Sequence, residues 1–175
     1  MDFRNEREEH THIVVEDNSP GLLAYFLRRV DSPEDAADLL AETLLVIWRR
    51  RDALPGDHTE ARMWLFGVAR KVLLTHRRTL HRRSALHDKL REELASAPRS
   101  TTADVDHLEV RDAIARLDSL DQEIIRLSYW DGFTLAQIAK MLRLADGTVR
   151  SRHHRALRSL RETLGRPTGR PTLSR

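Results

Sequence analysis

Apolar residues recur at every third or fourth position along most of this chain, and no segment alternates apolar and polar residues convincingly enough to make a strand. That single pattern restricts the fold to an all-α architecture. Ser19-Pro20 reads as a helix start, with Leu22, Leu23, Phe26, Leu27 and Val30 on one face. Ser32-Pro33-Glu34-Asp35 opens a second helix to about Arg51, whose inner stripe is Ala36, Leu39, Leu40, Thr43, Leu44 and Ile47. Leu54-Pro55-Gly56-Asp57 forms a loop, and a third helix runs from about Glu60 to Arg78, fraying towards Leu94, with Ala61, Trp64, Leu65, Val68 and Val72 inward.

The periodicity stops once. Ala95 to Asp104 is small, polar and proline-containing, the composition of a flexible linker. Four short helices follow, near Asp106 to Leu117, Ser119 to Trp130, Thr134 to Leu142 and Asp146 to Leu164. The expected organisation is therefore an acidic segment over 1–18, a helical domain over 19–94, a linker over 95–104, a second helical domain over 105–164 and a disordered basic tail over 165–175. Two small domains bury little surface each, which suits modules that act on a large partner.

Charged residues are 33% of the chain but nearly cancel, leaving a net charge of +3, so their distribution carries the information. The N-terminal part is acidic (Glu6, Glu8, Glu9, Glu16, Asp17, Glu34, Asp35, Asp38, Glu42), whereas the stretches from Arg70 to Arg83 and from Thr148 onward are rich in arginine. Separate protein-facing and nucleic-acid-facing surfaces follow from that layout. The chain has no cysteine, so disulfides and thiolate chemistry are excluded. It shows no long apolar run, which sets the expectation of a cytoplasmic protein without membrane insertion. His10 and His12 lie in a start that reads as unpacked, and no histidine spacing matches a zinc hydrolase; no phosphate loop or nucleophile elbow is present. No catalytic residue, metal ligand or cofactor is expected.

The helices Thr134 to Leu142 and Asp146 to Leu164, joined by Arg143-Leu144-Ala145, have the spacing of a helix-turn-helix. Thr134 and Gln137 form a capping box, and Leu135, Ile138, Ala139 and Leu142 face inward. In the second helix Val149, His153, Ala156, Leu157, Leu160 and Leu164 share a face, so Thr148, Arg150, Ser151, His154, Arg155 and Arg158 point outward, where arginines read guanine edges or hold phosphates. The bland alternative is a solvated basic helix. His153 reads as a satisfied core imidazole in preference to a titrating weak point, and Asp146 as the cap that Ala145 cannot provide.

The stretches Leu120-Asp-Gln-Glu-Ile-Ile-Arg-Leu, Tyr129-Trp-Asp-Gly-Phe-Thr-Leu-Ala-Gln-Ile-Ala and Gly147-Thr-Val-Arg-Ser-Arg-His-His-Arg-Ala resemble region four of the sigma-70 family. Asp38-Leu-Leu-Ala-Glu-Thr, Trp48-Arg-Arg and Ala61-Arg-Met-Trp-Leu-Phe-Gly-Val-Ala-Arg resemble region two of its extracytoplasmic-function (ECF) members. The resemblance implies a subunit that brings core RNA polymerase to promoter DNA. By it, Asp38, Glu42 and Leu45 dock on the beta-prime clamp, and the beta flap is a second contact on core polymerase. Trp64, Phe66, Arg70, Lys71, Arg77 and Arg78, with the loop Arg51 to Thr59, hold the melted minus-ten element, and Thr148, Arg150, Ser151, His154, Arg155 and Arg158 contact the minus-thirty-five element. An anti-sigma factor is an implied partner.

Two features of the residues themselves agree with those roles. Asp38 and Glu42 are like charges at i and i+4, which costs an isolated helix a few tenths of a kcal/mol, roughly, and which a cationic partner offsets. Trp64, Phe66 and the cations after them combine aromatic and basic groups as single-strand binding requires, although a tryptophan at helical spacing also serves as core. Lys71 and Thr75 stand where the family commonly carries Asn and Asp, and Arg143 replaces the usual turn glycine. The competing reading is a helix-turn-helix regulator that binds duplex DNA without polymerase.

Overall fold

The computed structural model describes residues 3–91 and 105–165. In chain order the helices are α1 (Phe3–Leu27), α2 (Pro33–Arg49), α3 (His58–Arg91), α4 (Val105–Ala115), α5 (Ser119–Tyr129), α6 (Leu135–Leu142) and α7 (Asp146–Leu164), with a 3-10 turn at Arg51–Ala53. No strand occurs among the described residues, as expected. The chain divides into two compact units, Met1–Ala97 and Pro98–Arg175. The linker expected at 95–104 and the tail after Gly165 lie outside the described residues.

The first unit is built on aromatic packing. Tyr25 meets Phe26 and Phe66 edge-on, at centroid distances of 5.3 and 5.7 Å, and Leu22, Ile47 and Leu65 complete a core closed to solvent. α1 corrects the reading of the N-terminus, because it passes straight through Pro20 and begins some sixteen residues before Ser19-Pro20. A proline inside a helix costs about 3 kcal/mol or more. Tertiary burial offsets that cost: Thr11 and Val14 before Pro20, and Leu22, Tyr25 and Phe26 after it, are all buried. Within the helix, Asn18 and Ser19 donate side-chain hydrogen bonds back to the carbonyls of Val14 (2.8 Å) and Val15 (2.6 Å). Residues 3–18 of the expected acidic segment are thus part of α1.

In α2 the sequence signals act locally and hold. Ser32 Oγ accepts from the Asp35 amide at 3.2 Å with Pro33 in the first turn, and Ala36, Leu39, Thr43 and Ile47 are buried, with Leu40 and Leu44 half-buried. α3 extends to Arg91 and has a broader buried sector than its spacing suggested: Ala61, Leu65, Phe66, Val68, Ala69, Val72 and Leu73.

The second unit has a small aliphatic core. Ile114, Ile125 and Ala156 are surrounded by Val110, Leu117, Leu157 and Leu160. Gln122 of α5 donates Nε2 to the carbonyls of Ala115 (3.2 Å) and Leu117 (2.9 Å), satisfying the end of α4. Both halves of the α6 capping box form, with Gln137 N to Thr134 Oγ1 at 3.3 Å and Thr134 N to Gln137 Oε1 at 2.8 Å. Arg143 then turns the chain with φ 56, in the left-handed region usually reserved for glycine. The capping expectation at α7 fails: Ala145 keeps the cap position without a side-chain bond, and Asp146 is already helical.

Candidate nucleic-acid interface

α7 carries an exposed row. Thr148, Arg150, Ser151, His154, Arg155 and Arg158 are all exposed, while Val149 and Ala156 are buried behind them. Ser151 Oγ donates to the Thr148 carbonyl at 3.0 Å, so its lone pairs remain open to an external donor.

Sequence reasoning overlooked Arg152, which stands apart from that row. Arg152 Nη1 donates to Asp121 Oδ1 at 2.7 Å and lies 3.7 Å from Asp118, and Arg155 Nη2 reaches Asp121 Oδ2 at 3.4 Å. The hydrogen bond to Asp121 holds the Arg152 guanidinium above its ordinary pKa. A signal existed: Arg152 follows Val149 by three residues and precedes Ala156 by four, which puts it beside the buried stripe.

His153 departs from the expected satisfied imidazole. Its ring stacks on Tyr129 at 5.8 Å with 8° between planes, but the buried Nε2 has no hydrogen-bond partner among the described residues. Burial, and secondarily the adjacent His154, push its pKa below the ordinary histidine value.

On α3 the proposed row is broken by packing. Phe66 is 1% exposed against Tyr25, with Arg62 5.1 Å over its ring, so it is a core residue and not a stacking platform for a base. Trp64 and Arg70 are half-buried, and Lys71 and Arg78 are exposed. Arg77 is half-buried and donates Nη2 to the Arg29 carbonyl at 3.2 Å, just beyond the end of α1. The loop before α3 is tied to the start of α1 by Arg7–Asp52 (3.4 Å), Arg51–Glu8 (3.5 Å) and His10 Nε2 to the Pro55 carbonyl (3.1 Å). His10 is therefore packed, contrary to the reading of an unpacked start.

α2 presents a different surface. Asp38, Glu42 and Leu45 are exposed on one side, and Trp48 continues the face with Arg51 5.3 Å over its ring. Leu45 and Trp48 expose 56% and 46% of their surface, so an apolar patch adjoins the two carboxylates. Among the described residues no helix is long and apolar enough to cross a membrane.

The chain thus comprises two small helical units, the second with a capped helix-turn-helix and a basic outer row. Residues 14–83 match the family model for sigma-70 region 2, and residues 113–162 match that for sigma-70, region 4. The ECF RNA polymerase sigma factor SigL of Mycobacterium tuberculosis (strain H37Rv) is 36% identical over 153 residues, covering 86% of each chain. The chain belongs to the ECF sigma factors of the sigma-70 family. This sigma factor is also 30% identical to the ECF RNA polymerase sigma factor SigF of Caulobacter vibrioides, over 85% of its own length and 82% of the relative's. The solved structure of sigma factor RpoE in complex with the anti-sigma factor NepR from Bartonella quintana superimposes with a TM-score of 0.69 at 25% identity, covering 87% of this chain and 95% of that one. The function is that of an RNA polymerase sigma factor.

Proposed function

We propose that the exposed row of α7 contacts the minus-thirty-five element of the promoters this sigma factor selects. The observation that carries this reading is the separation on α7 between six exposed polar and cationic residues and the buried Val149 and Ala156. A helix seated on its apolar face offers its opposite side to the major groove, and each arginine on it either pairs with a guanine edge or neutralises a phosphate. α3 and the preceding loop hold the melted minus-ten strand. Trp64, Arg70, Lys71 and Arg78 remain the candidates there, since Phe66 is core and Arg77 is engaged with Arg29.

On α2, Asp38, Glu42 and Leu45 dock on the beta-prime clamp: two like charges beside an exposed leucine fit a partner that is cationic with an apolar centre. The second unit meets the beta flap. An anti-sigma factor covers part of these surfaces in the uninduced cell, as one is bound to the Bartonella relative. The subunit needs no catalytic residue, metal or cofactor of its own, because phosphodiester formation belongs to the polymerase, and it works where the polymerase is, in the cytoplasm.

Run-off transcription with core polymerase over a genomic fragment library tests the whole reading. Transcripts that start at defined sites only when this chain is added, and that share two upstream elements, are expected. Core-independent binding of the chain as a dimer to a palindrome, with no initiation, would instead establish a duplex-binding regulator.

A further inference from the structure

We propose that Asp121, on α5 and outside the helix-turn-helix, is a positioning residue for promoter recognition: it fixes Arg152 as an internal strut and aims Arg155 at the upstream element. This rests on the reading of α7 as the helix that contacts that element.

Asp121 is 5% exposed, and a carboxylate so deeply placed is tolerated only with close cationic partners. It has two, one on each oxygen. It also lies in the first turn of α5, where the helix amino end favours negative charge. The two arginines are held unequally. Arg152, with 26% of its side chain exposed, is bound at 2.7 Å and has Asp118 nearby, so its charge is compensated inside the unit. Arg155, one turn later, touches Asp121 through a single nitrogen at 3.4 Å and leaves 64% of its side chain exposed.

That asymmetry has a chemical consequence. With Arg152 already matched to Asp121, the positive charge of Arg155 is left over for a phosphate or a base edge. The tether limits where its guanidinium can go, so less rotamer freedom is lost when it binds. Arg150 is also exposed on α7, but the ion pairs of this helix among the described residues are made by Arg152 and Arg155 and not by Arg150. Arg155 is thus a directed cation and Arg150 a free one. A chain position 34 residues before Arg155 in sequence thereby controls a contact made by α7.

The test uses holoenzyme reconstituted from core polymerase and the full chain, on a promoter fragment recovered by the run-off screen, with single base-pair substitutions across its upstream element. Asp121→Asn should lower open-complex formation about tenfold and flatten preference at the base pairs that Arg155→Ala flattens. In the double variant the loss should be no greater than in Arg155→Ala alone. Arg152→Gln should lower the melting temperature without flattening those base pairs. Asp121→Glu keeps the charge pairing but displaces it by one methylene, so it should fold normally and still shift preference at the same positions, which covers the case in which Asp121→Asn does not fold. Losses that add in the double variant, unchanged preference in Asp121→Glu, or an Arg152→Gln that flattens the same base pairs would each overturn the assignment. If Arg155→Ala alters neither base preference nor salt dependence, the reading of α7 itself fails, and the positioning role falls with it.

Discussion

The two units bury their cores in opposite styles, and the contrast decides how much of each remains for binding. In the first, α3 sinks a broad sector around Phe66 against the aromatic residues of α1, and Arg77 is drawn onto the Arg29 carbonyl. In the second, α7 buries only Val149 and Ala156 completely, and its polar row stays exposed throughout. A helix that buries a wide sector absorbs neighbouring aromatic and basic groups into structure. One that buries a narrow stripe leaves most of them outside, with Arg152 beside the stripe as the exception. A run of aromatic and basic residues therefore means less on α3 than a run of basic ones means on α7.

The sharpest way to break this contrast is Phe66→Ala. Loss of a buried phenyl ring costs about 3–5 kcal/mol, so the first unit should unfold at much lower urea concentration, followed by far-ultraviolet circular dichroism. Trp64→Ala, at a half-buried site, should leave the unfolding midpoint much closer to that of the parent chain. A stable Phe66→Ala protein defective only in promoter melting would return Phe66 to the nucleic-acid surface. Next in size is Asp38→Lys with Glu42→Lys, expected to weaken core polymerase binding by about a hundredfold or more while helix content is unchanged, measured by fluorescence anisotropy. Normal affinity would remove α2 from the docking surface.

The aliphatic second unit is tested by acid. Because the folded-state pKa of His153 lies below its unfolded value, the unfolded chain takes up its proton first as pH falls. Stability contributed by the neutral ring is present above about pH 6.5 and is lost as pH drops through that value towards the lower folded one. Denaturation midpoints at pH 7.5 and 5.5 should differ more for the parent chain than for His153→Phe, which keeps an aromatic ring against Tyr129; equal differences would show that His153 is not the titrating group. The smallest expected effect is at the turn. Arg143→Gly relieves a left-handed residue with a Cβ and should stabilise the second unit by about 0.5–1 kcal/mol, visible as a higher urea midpoint with unchanged slope.

What was legible in the sequence was local. Ser32 with Pro33, and Thr134 with Gln137, announce their helices through bonds only three residues long, and the outward row of α7 follows from helical spacing around Val149 and Ala156. What escaped needs partners far along the chain. The burial of Phe66 depends on Tyr25, the capture of Arg77 on Arg29 across 48 residues, and the seating of Arg152 on Asp121 across 31. Pro20 misled for the same reason: its local meaning is a helix start, and only the packing of Thr11 and Val14 carries α1 through it. The same rule separates Arg150, whose exposure follows from spacing alone, from Phe66, whose burial does not.

The edge-on contact between Tyr25 and Phe66 also imposes an order on biogenesis. Tyr25 and Phe26 leave the ribosome first, and at synthesis rates of about 5–20 residues per second roughly forty more residues, or some 2–8 seconds, must pass before Phe66 is made. Throughout that interval the aromatic face of α1 has no ring to close it, and a helix carrying Pro20 is weak without its tertiary contacts. The nascent first unit is therefore most exposed to chaperones and proteases before α3 is complete, so a rare codon or pause between Val30 and Phe66 would lengthen the time in which the cell can decide how much of this subunit survives.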